Sequence, residues 1–163
     1  MEMGVGSKVD RLMGTARSDT AGSATASEIS GRVDAALERI AASDRPEVWI
    51  HAPRPEAVTA EAREVARRVE DGEHLPLAGI TVAVKGNIDV DGWPTTAGCP
   101  AYAHLPERSA TVGRRLRAAG AVIVGATNMD QFATGLVGVR TPHPVPRNAL
   151  DPAPASTRDA AGR

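Results

Sequence analysis

Apolar residues recur every three or four positions in two stretches of the chain, which is the spacing that buries one face of a helix. The first stretch predicts a helix with Ser27 as its N-cap and an end near Ser43. Its buried face consists of Ile29, Val33, Leu37 and Ile40. The second stretch predicts a helix from about Pro55 to Asp71, whose apolar face consists of Val58, Ala62, Val65, Ala66 and Val69.

Two shorter apolar runs have the composition of strands. Thr81–Lys85 is rich in β-branched residues and lies between two glycines, so it predicts a short, largely buried strand that ends at Lys85. Residues 121–125, AVIVG, contain no polar side chain and predict a second buried strand. A third apolar run, Val48 to Ile50, lies earlier in the chain. It is an apolar patch that packs but has no evident chemical role.

The segments between and after these strands complete an α/β pattern. Gly86–Pro100 is a long glycine- and proline-containing loop. A helix with Ser109 as its N-cap follows and ends at Gly120, with Val112, Leu116 and Ala119 facing inward. Asn128 is predicted to cap a further helix at residues 129–133. Strand, loop, helix and strand in this order predict an α/β sheet with crossover helices.

Composition and charge exclude several classes of protein. The chain has 19 basic and 20 acidic residues, a balance that argues against a nucleic-acid surface or an acidic-lipid anchor. Its single cysteine cannot form an internal disulfide, and its four histidines are scattered, so we expect no metal and no cofactor. Without a signal peptide or membrane span, a cytoplasmic protein is expected, with residues 1–26 disordered.

Lys85 is the first candidate for chemistry. In open α/β sheets, ligands collect at the carboxyl ends of the strands, where this lysine is expected to lie. The alternative is a solvated lysine that ends a strand and protects a sheet edge. Asp89 and Asp91 are a second candidate, for acid–base work, but Asp91-Gly92 is a turn dipeptide and favours a structural role.

Four sequence motifs around these elements resemble those of the amidase signature family, and most of all those of its allophanate hydrolase branch. The motifs are VKGNIDV, WPTTAGCPAY, LRAAGAVIVGATNMDQFATGLVG and PRNALDP. The resemblance covers roughly residues 46–152. It implies a partial amidase-signature fold, a mixed sheet flanked by helices and incomplete at the C-terminus, with residues 27–151 as its amidase part. It also implies hydrolysis of a small linear amide without a cofactor, in a parent enzyme that is a homodimer.

The resemblance assigns roles to particular residues. In this family the lysine at the position of Lys85 belongs to a Ser, cis-Ser, Lys triad, in which a neutral lysine activates the attacking serine. A buried strand end would keep a lysine neutral. By the same resemblance Ala133, Thr134 and Gly135 lie near the acyl pocket. For each of these three residues the alternative is a helix end that packs on the sheet.

The chain also departs from the family pattern. Gly86 stands where the family usually has an acidic residue, and Thr81 replaces a frequent proline. After Asp151 the family has a glycine- and serine-rich run with both catalytic serines, whereas this chain has PAPASTRDAAGR. Ser156 there lacks the flanking glycines of an oxyanion loop.

Three interpretations of the chain remain open. We expect a truncated amidase that is inactive alone, with residues 152–163 disordered. One alternative is a non-catalytic interaction module or subunit that completes another amidase chain. The other is a fragment of a different amidase branch, such as the glutamyl-tRNA amidotransferase subunit.

Overall fold

The computed structural model describes residues 24–148, and within them it forms three α-helices and three strands. The helices are α1 (Ala26–Ala42), α2 (Pro55–Glu70) and α3 (Thr111–Ala118). The strands are β1 (Trp49–His51), β2 (Thr81–Lys85) and β3 (Val122–Thr127). The segments predicted to be disordered lie outside the described residues, apart from residues 24–26. Of these, Thr25 and Ala26 belong to α1 and its cap.

The strands form one mixed sheet in the order β1-β3-β2. β2 and β3 are parallel, joined by the crossover that contains α3, and β1 pairs antiparallel with β3. The predicted mixed sheet flanked by helices is therefore confirmed. β1 was not predicted as a strand, because three residues are too few to show a period of two and only pairing with β3 defines them.

Side chains of the central strand β3 point to opposite faces of the sheet and build two apolar clusters. On one face Val122 and Val124 pack with the predicted apolar faces of α1 and α2. On the other face Ile123 packs with Val84 and with residues of the loop that follows β2. The sheet thus has helices on one side and an irregular loop on the other.

β2 is more exposed than the sequence predicts. Of its five residues only Val84 is buried, while Ala83 and Lys85 are exposed. The prediction of a largely buried strand is wrong because β2 pairs with β3 alone among the described residues and so forms an edge of the sheet.

The N-cap of α1 is Thr25 and not the predicted Ser27. The Thr25 hydroxyl accepts a hydrogen bond from the Glu28 backbone N–H at 3.2 Å. In return the Glu28 carboxylate accepts one from the Thr25 backbone N–H at 2.7 Å, which completes a capping box. These bonds lower the pKa of Glu28, with the Thr25 backbone contribution the largest.

This cap gives a first prediction. Thr25→Ala is expected to lower the free energy of unfolding by about 1 kcal/mol, because an N-terminal N–H of α1 loses its acceptor. Urea denaturation followed by circular dichroism measures the change. The matched control is Ser27→Ala, which replaces an exposed residue inside the helix and should be neutral or slightly stabilising. A larger loss for Ser27→Ala would contradict the assignment of the cap.

The start of α3 also differs from the prediction. Its N-cap is Ala110, without a side-chain bond, and Ser109 instead accepts a hydrogen bond from the Asp91 backbone N–H at 2.8 Å. Val112 does not face inward but is 49% exposed, and Gly113 is the buried residue of the helix. The other end of α3 is held by Arg68 of α2, which donates to the carbonyl groups of Arg117 and Ala118.

Candidate active site

Lys85 lies at the carboxyl end of β2, as predicted. It is in register with Thr127, the last residue of the parallel strand β3. The next residue, Gly86, continues the pairing and donates its backbone N–H to the Thr127 carbonyl at 3.1 Å. The ends of both parallel strands therefore meet beside Lys85, at the edge of the sheet where α/β proteins place their ligands.

The pocket predicted around Lys85 is not formed by the described residues. The lysine side chain is exposed, and it takes part in none of the hydrogen bonds or ion pairs found between residues 24 and 148. Within this part of the chain, Lys85 is a solvated strand end, which was the alternative interpretation. The reason is topological, since β2 is an edge strand and the loop after it packs against the sheet face and not over the lysine.

The long loop after Lys85 connects the lysine to the segment after β3. Gly86 accepts a hydrogen bond at its carbonyl from the Ala97 N–H, at 3.1 Å. Ala97 in turn accepts one at its carbonyl from the Phe132 N–H, at 2.9 Å. The loop is irregular, as predicted, and its only ladder contact among the described residues is a bridge between Thr95 and His104. Two backbone hydrogen bonds thus link the lysine end of β2 to Phe132.

The three residues predicted near the acyl pocket lie directly after this contact. Ala133 and Thr134 are exposed and Gly135 is partly buried. They do not end a helix capped by Asn128. The segment Gln131–Ala133 is instead a single 3-10 turn in which Phe132 and Ala133 have φ values of 50° and 57°. Neither half of the alternative, a helix end or packing on the sheet, describes this exposed turn.

Asp130 organises this segment, although no pattern in the sequence singled it out. Asp130 is 5% exposed, and its carboxylate accepts hydrogen bonds from the backbone N–H groups of Arg140, at 2.6 Å, and Gly138, at 3.0 Å. These bonds lower the pKa of Asp130, with the Arg140 N–H contributing most. A side chain at Gly135 would collide with this carboxylate. The available signal was an aspartate followed by a loop with glycines at 135 and 138.

The two aspartates considered for acid–base catalysis, Asp89 and Asp91, have structural roles. Asp91-Gly92 forms the predicted turn, with a φ of 80° at Gly92. Asp89 lies 3.6 Å from the His104 ring and accepts the Ala110 N–H at its backbone carbonyl. Between residues 24 and 148, no group of three His, Cys, Asp or Glu side chains is arranged to hold a metal ion. In the same range no helix has the length and apolar character needed to cross a bilayer.

Comparison with known proteins identifies the family to which this chain belongs. A model of the amidase family matches residues 32–156, which is more than half of the chain. The chain therefore belongs to the amidase family, and the predicted resemblance is confirmed.

Particular relatives refine this assignment. Urea amidolyase of Saccharomyces cerevisiae is 55% identical over 80 residues, which are 49% of this chain and 4% of that protein. A glutamyl-tRNA(Gln) amidotransferase subunit of Deinococcus deserti is 52% identical over 81 residues, 49% of this chain and 17% of the relative. The structure of Kluyveromyces lactis allophanate hydrolase superposes with a TM-score of 0.58 and 38% identity, over 73% of this chain and 21% of that one. The chain thus spans a minor part of each relative.

Proposed function

We propose that this chain is the lysine-bearing part of an amide hydrolase of the allophanate hydrolase type, with Lys85 as its general base. The proposal depends on the place of Lys85 at the carboxyl end of β2, in register with Thr127. The hydrogen bonds through Ala97 to Phe132 connect that place to the segment Ala133–Gly135, which we propose as a wall of the acyl pocket. Similarity to the K. lactis allophanate hydrolase supports a small linear amide as the substrate.

The proposed reaction is a serine attack on the amide carbonyl. A neutral Lys85 amine accepts the proton of the attacking hydroxyl through a second, bridging serine. The serine oxygen bonds to the carbonyl carbon, the C–N bond breaks, and ammonia leaves with the proton that the lysine returns. Water then hydrolyses the acyl ester with the same base. Residues 1–163 contain no glycine- and serine-rich run after Asp151, so we propose that these residues supply the base and that the nucleophile is not among them.

The base needs a cover that the described residues do not provide, because burial away from water favours a neutral amine. Exposed apolar side chains lie on the segment that the Phe132 hydrogen bond connects to the lysine end of the sheet: Phe132, Leu136, Val137 and Val139. Soluble proteins rarely expose several large apolar side chains in one segment unless another surface covers them. We propose that further parts of an amidase fold cover Lys85 and these side chains, in a cytoplasmic and homodimeric parent enzyme.

Two other functions have specific support. The same exposed apolar side chains favour a non-catalytic module that completes another amidase chain. The 52% identity to the D. deserti protein favours a part of a glutamyl-tRNA amidotransferase. The second of these is opposed by the balanced charge of the chain, which provides no tRNA surface. It is also opposed by Gln131, since the glutamyl-tRNA amidotransferase subunits commonly have glutamate at this position.

The isolated chain gives the direct test. The purified 163-residue polypeptide is expected to release no ammonia from allophanate, and Lys85→Ala should leave this background unchanged, since a base without a nucleophile gives no useful rate. A coupled ammonia assay and intact-mass spectrometry after incubation with substrate measure turnover and any acyl adduct. An acyl adduct, or turnover that Lys85→Ala abolishes, would contradict the missing nucleophile.

A further inference from the structure

Glu47, in the turn before β1, is a buried carboxylate that the proposed function does not use. It is 8% exposed, and its carboxylate accepts hydrogen bonds from groups of Arg45 and Arg147. Arg147 donates from Nε at 3.0 Å and from its backbone N–H at 3.4 Å, and Arg45 donates from Nε at 3.5 Å. The hydrogen bond from Arg147 is the main cause that lowers the pKa of Glu47 to about 2.

Each arginine also donates a hydrogen bond to a backbone carbonyl group of the other segment. Arg147 donates from a terminal nitrogen to the Asp44 carbonyl, and Arg45 donates to the Arg147 carbonyl. Residues 44–47 and Arg147 are 100 or more positions apart in the chain, yet they are joined in both directions. A planar guanidinium can make two such bonds at once, whereas an ammonium group on a flexible chain is a single point.

Asn128 extends the same connection to the end of β3. Its side-chain amide donates to the carbonyl groups of Glu47, at 3.0 Å, and Pro144, at 3.1 Å. Its side-chain oxygen accepts from the Thr141 hydroxyl at 2.6 Å. One side chain therefore joins the turn before β1, the end of β3 and the segment from Thr141 to Arg147.

Polar contacts and not apolar burial hold this segment. Val145 is 41% exposed, and Pro144 and Arg147 are exposed as well. The segment lies at the same end of the sheet as Lys85, because Asn128 directly follows Thr127, which is the register partner of Lys85. The contacts of Glu47 and Asn128 thus decide where the chain after Arg147 leaves this end of the sheet.

We propose that Glu47 is a positioning residue that anchors the segment Thr141–Arg147 at the lysine end of the sheet. This inference rests on the proposed function in one respect, namely that the chain after this segment must arrive near Lys85. The anchor is specific for a carboxylate at 47 and a guanidinium at 147. Its loss frees the end of the segment at Arg147, while the bond from Thr141 to Asn128 remains. The core around α1, α2 and β3 stays folded, because none of the anchor residues belongs to either apolar cluster.

Limited proteolysis of the full chain tests the anchor. Trypsin cleaves after Arg147 only when the segment leaves the surface, and the rate of cleavage follows the open population when cleavage is slow. Glu47→Gln is expected to raise the rate of cleavage after Arg147 by about tenfold, because a charge-assisted pair is lost. Cleavage after Arg140, whose backbone N–H is held by Asp130, should not change. Mass spectrometry of early fragments separates the two sites.

Further variants distinguish an anchor from a general loss of stability. Glu38→Gln makes the same substitution at an exposed position of α1 and should leave both cleavage rates unchanged. Arg147→Lys keeps the charge and the cleavage site but should open the segment almost as much as Glu47→Gln. Glu47→Asp should restore part of the protection. Faster cleavage at Arg140 and Arg147 together in Glu47→Gln, or unchanged cleavage at Arg147, would overturn the proposal.

The cleavage assay does not depend on Lys85, and Lys85→Ala should leave it unchanged. Failure of the anchor would therefore leave the proposed base role of Lys85 untouched. Likewise, an acyl adduct in the ammonia experiment would contradict the proposed function and leave the cleavage result standing.

Discussion

Ammonia release that depends on Lys85 is expected when residues 27–148 of this chain replace the matching part of K. lactis allophanate hydrolase. The two structures superpose over 73% of this chain. In this chimera the partner sequence supplies what the described residues lack, namely a cover over the lysine and a serine nucleophile. Lys85→Ala should then lower kcat for allophanate by about 10²–10⁴-fold, the usual contribution of general acid–base catalysis.

Two further variants of the chimera separate base catalysis from charge. Lys85→Arg keeps the positive charge but cannot lose its proton, so it should be as inactive as the alanine variant. Arg63→Ala removes an exposed cation from α2 and should leave kcat unchanged. A soluble, folded chimera whose ammonia release survives Lys85→Ala would contradict the base role.

The helices of this fold were predictable from the sequence because their signal is local. Ile29 and Val33 in α1, and Val58 and Val65 in α2, recur at helical spacing and are all buried in one cluster. The bounds were right to within two residues, and the N-cap of α1 was missed because Thr25 and Ser27 are both plausible caps. Only the reciprocal bonds to Glu28 distinguish them.

What depends on contacts between distant residues was not predictable. β1 is a strand only because Trp49 pairs with Thr127. Asn128 was predicted to cap a helix one residue away, but its side chain bonds to Glu47, 81 positions earlier. The position of Lys85 at a strand end followed from composition, whereas its exposure follows from the order of the strands, which no local pattern contains.

Gly86 is the departure from the family pattern for which the structure gives a physical reason. The glycine is buried, and a Cβ atom on it would lie 2.6 Å from Cδ1 of Ile50 and 2.9 Å from the carbonyl oxygen of Thr127. The Ile50 side chain can move, but the Thr127 carbonyl is part of the sheet and accepts the Gly86 N–H. A side chain at position 86 is therefore excluded because there is too little space between β1 and the end of β3.

Gly86→Asp, which restores an acidic residue at this position, is expected to destabilise this chain. Gly86→Ala should lower the free energy of unfolding by about 1–3 kcal/mol through overpacking. Aspartate should cost more than alanine, because its carboxylate would be buried beside a carbonyl oxygen without a donor. Urea denaturation at neutral pH measures both losses.

The matched control is Gly31→Ala on α1, where the added methyl group meets no atom within 4 Å apart from its chain neighbours and the backbone of its own helix. That substitution should stabilise the chain by up to about 1 kcal/mol, since alanine is the better helix former. Opposite signs for the same change at Gly31 and Gly86 would show that the space beside Lys85, and not a general intolerance of substitution, excludes the acidic residue. If Gly86→Asp were as stable as the wild type, the close approach of Ile50 and Thr127 to Gly86 would be refuted, and with it the register that places Lys85 at the end of the sheet.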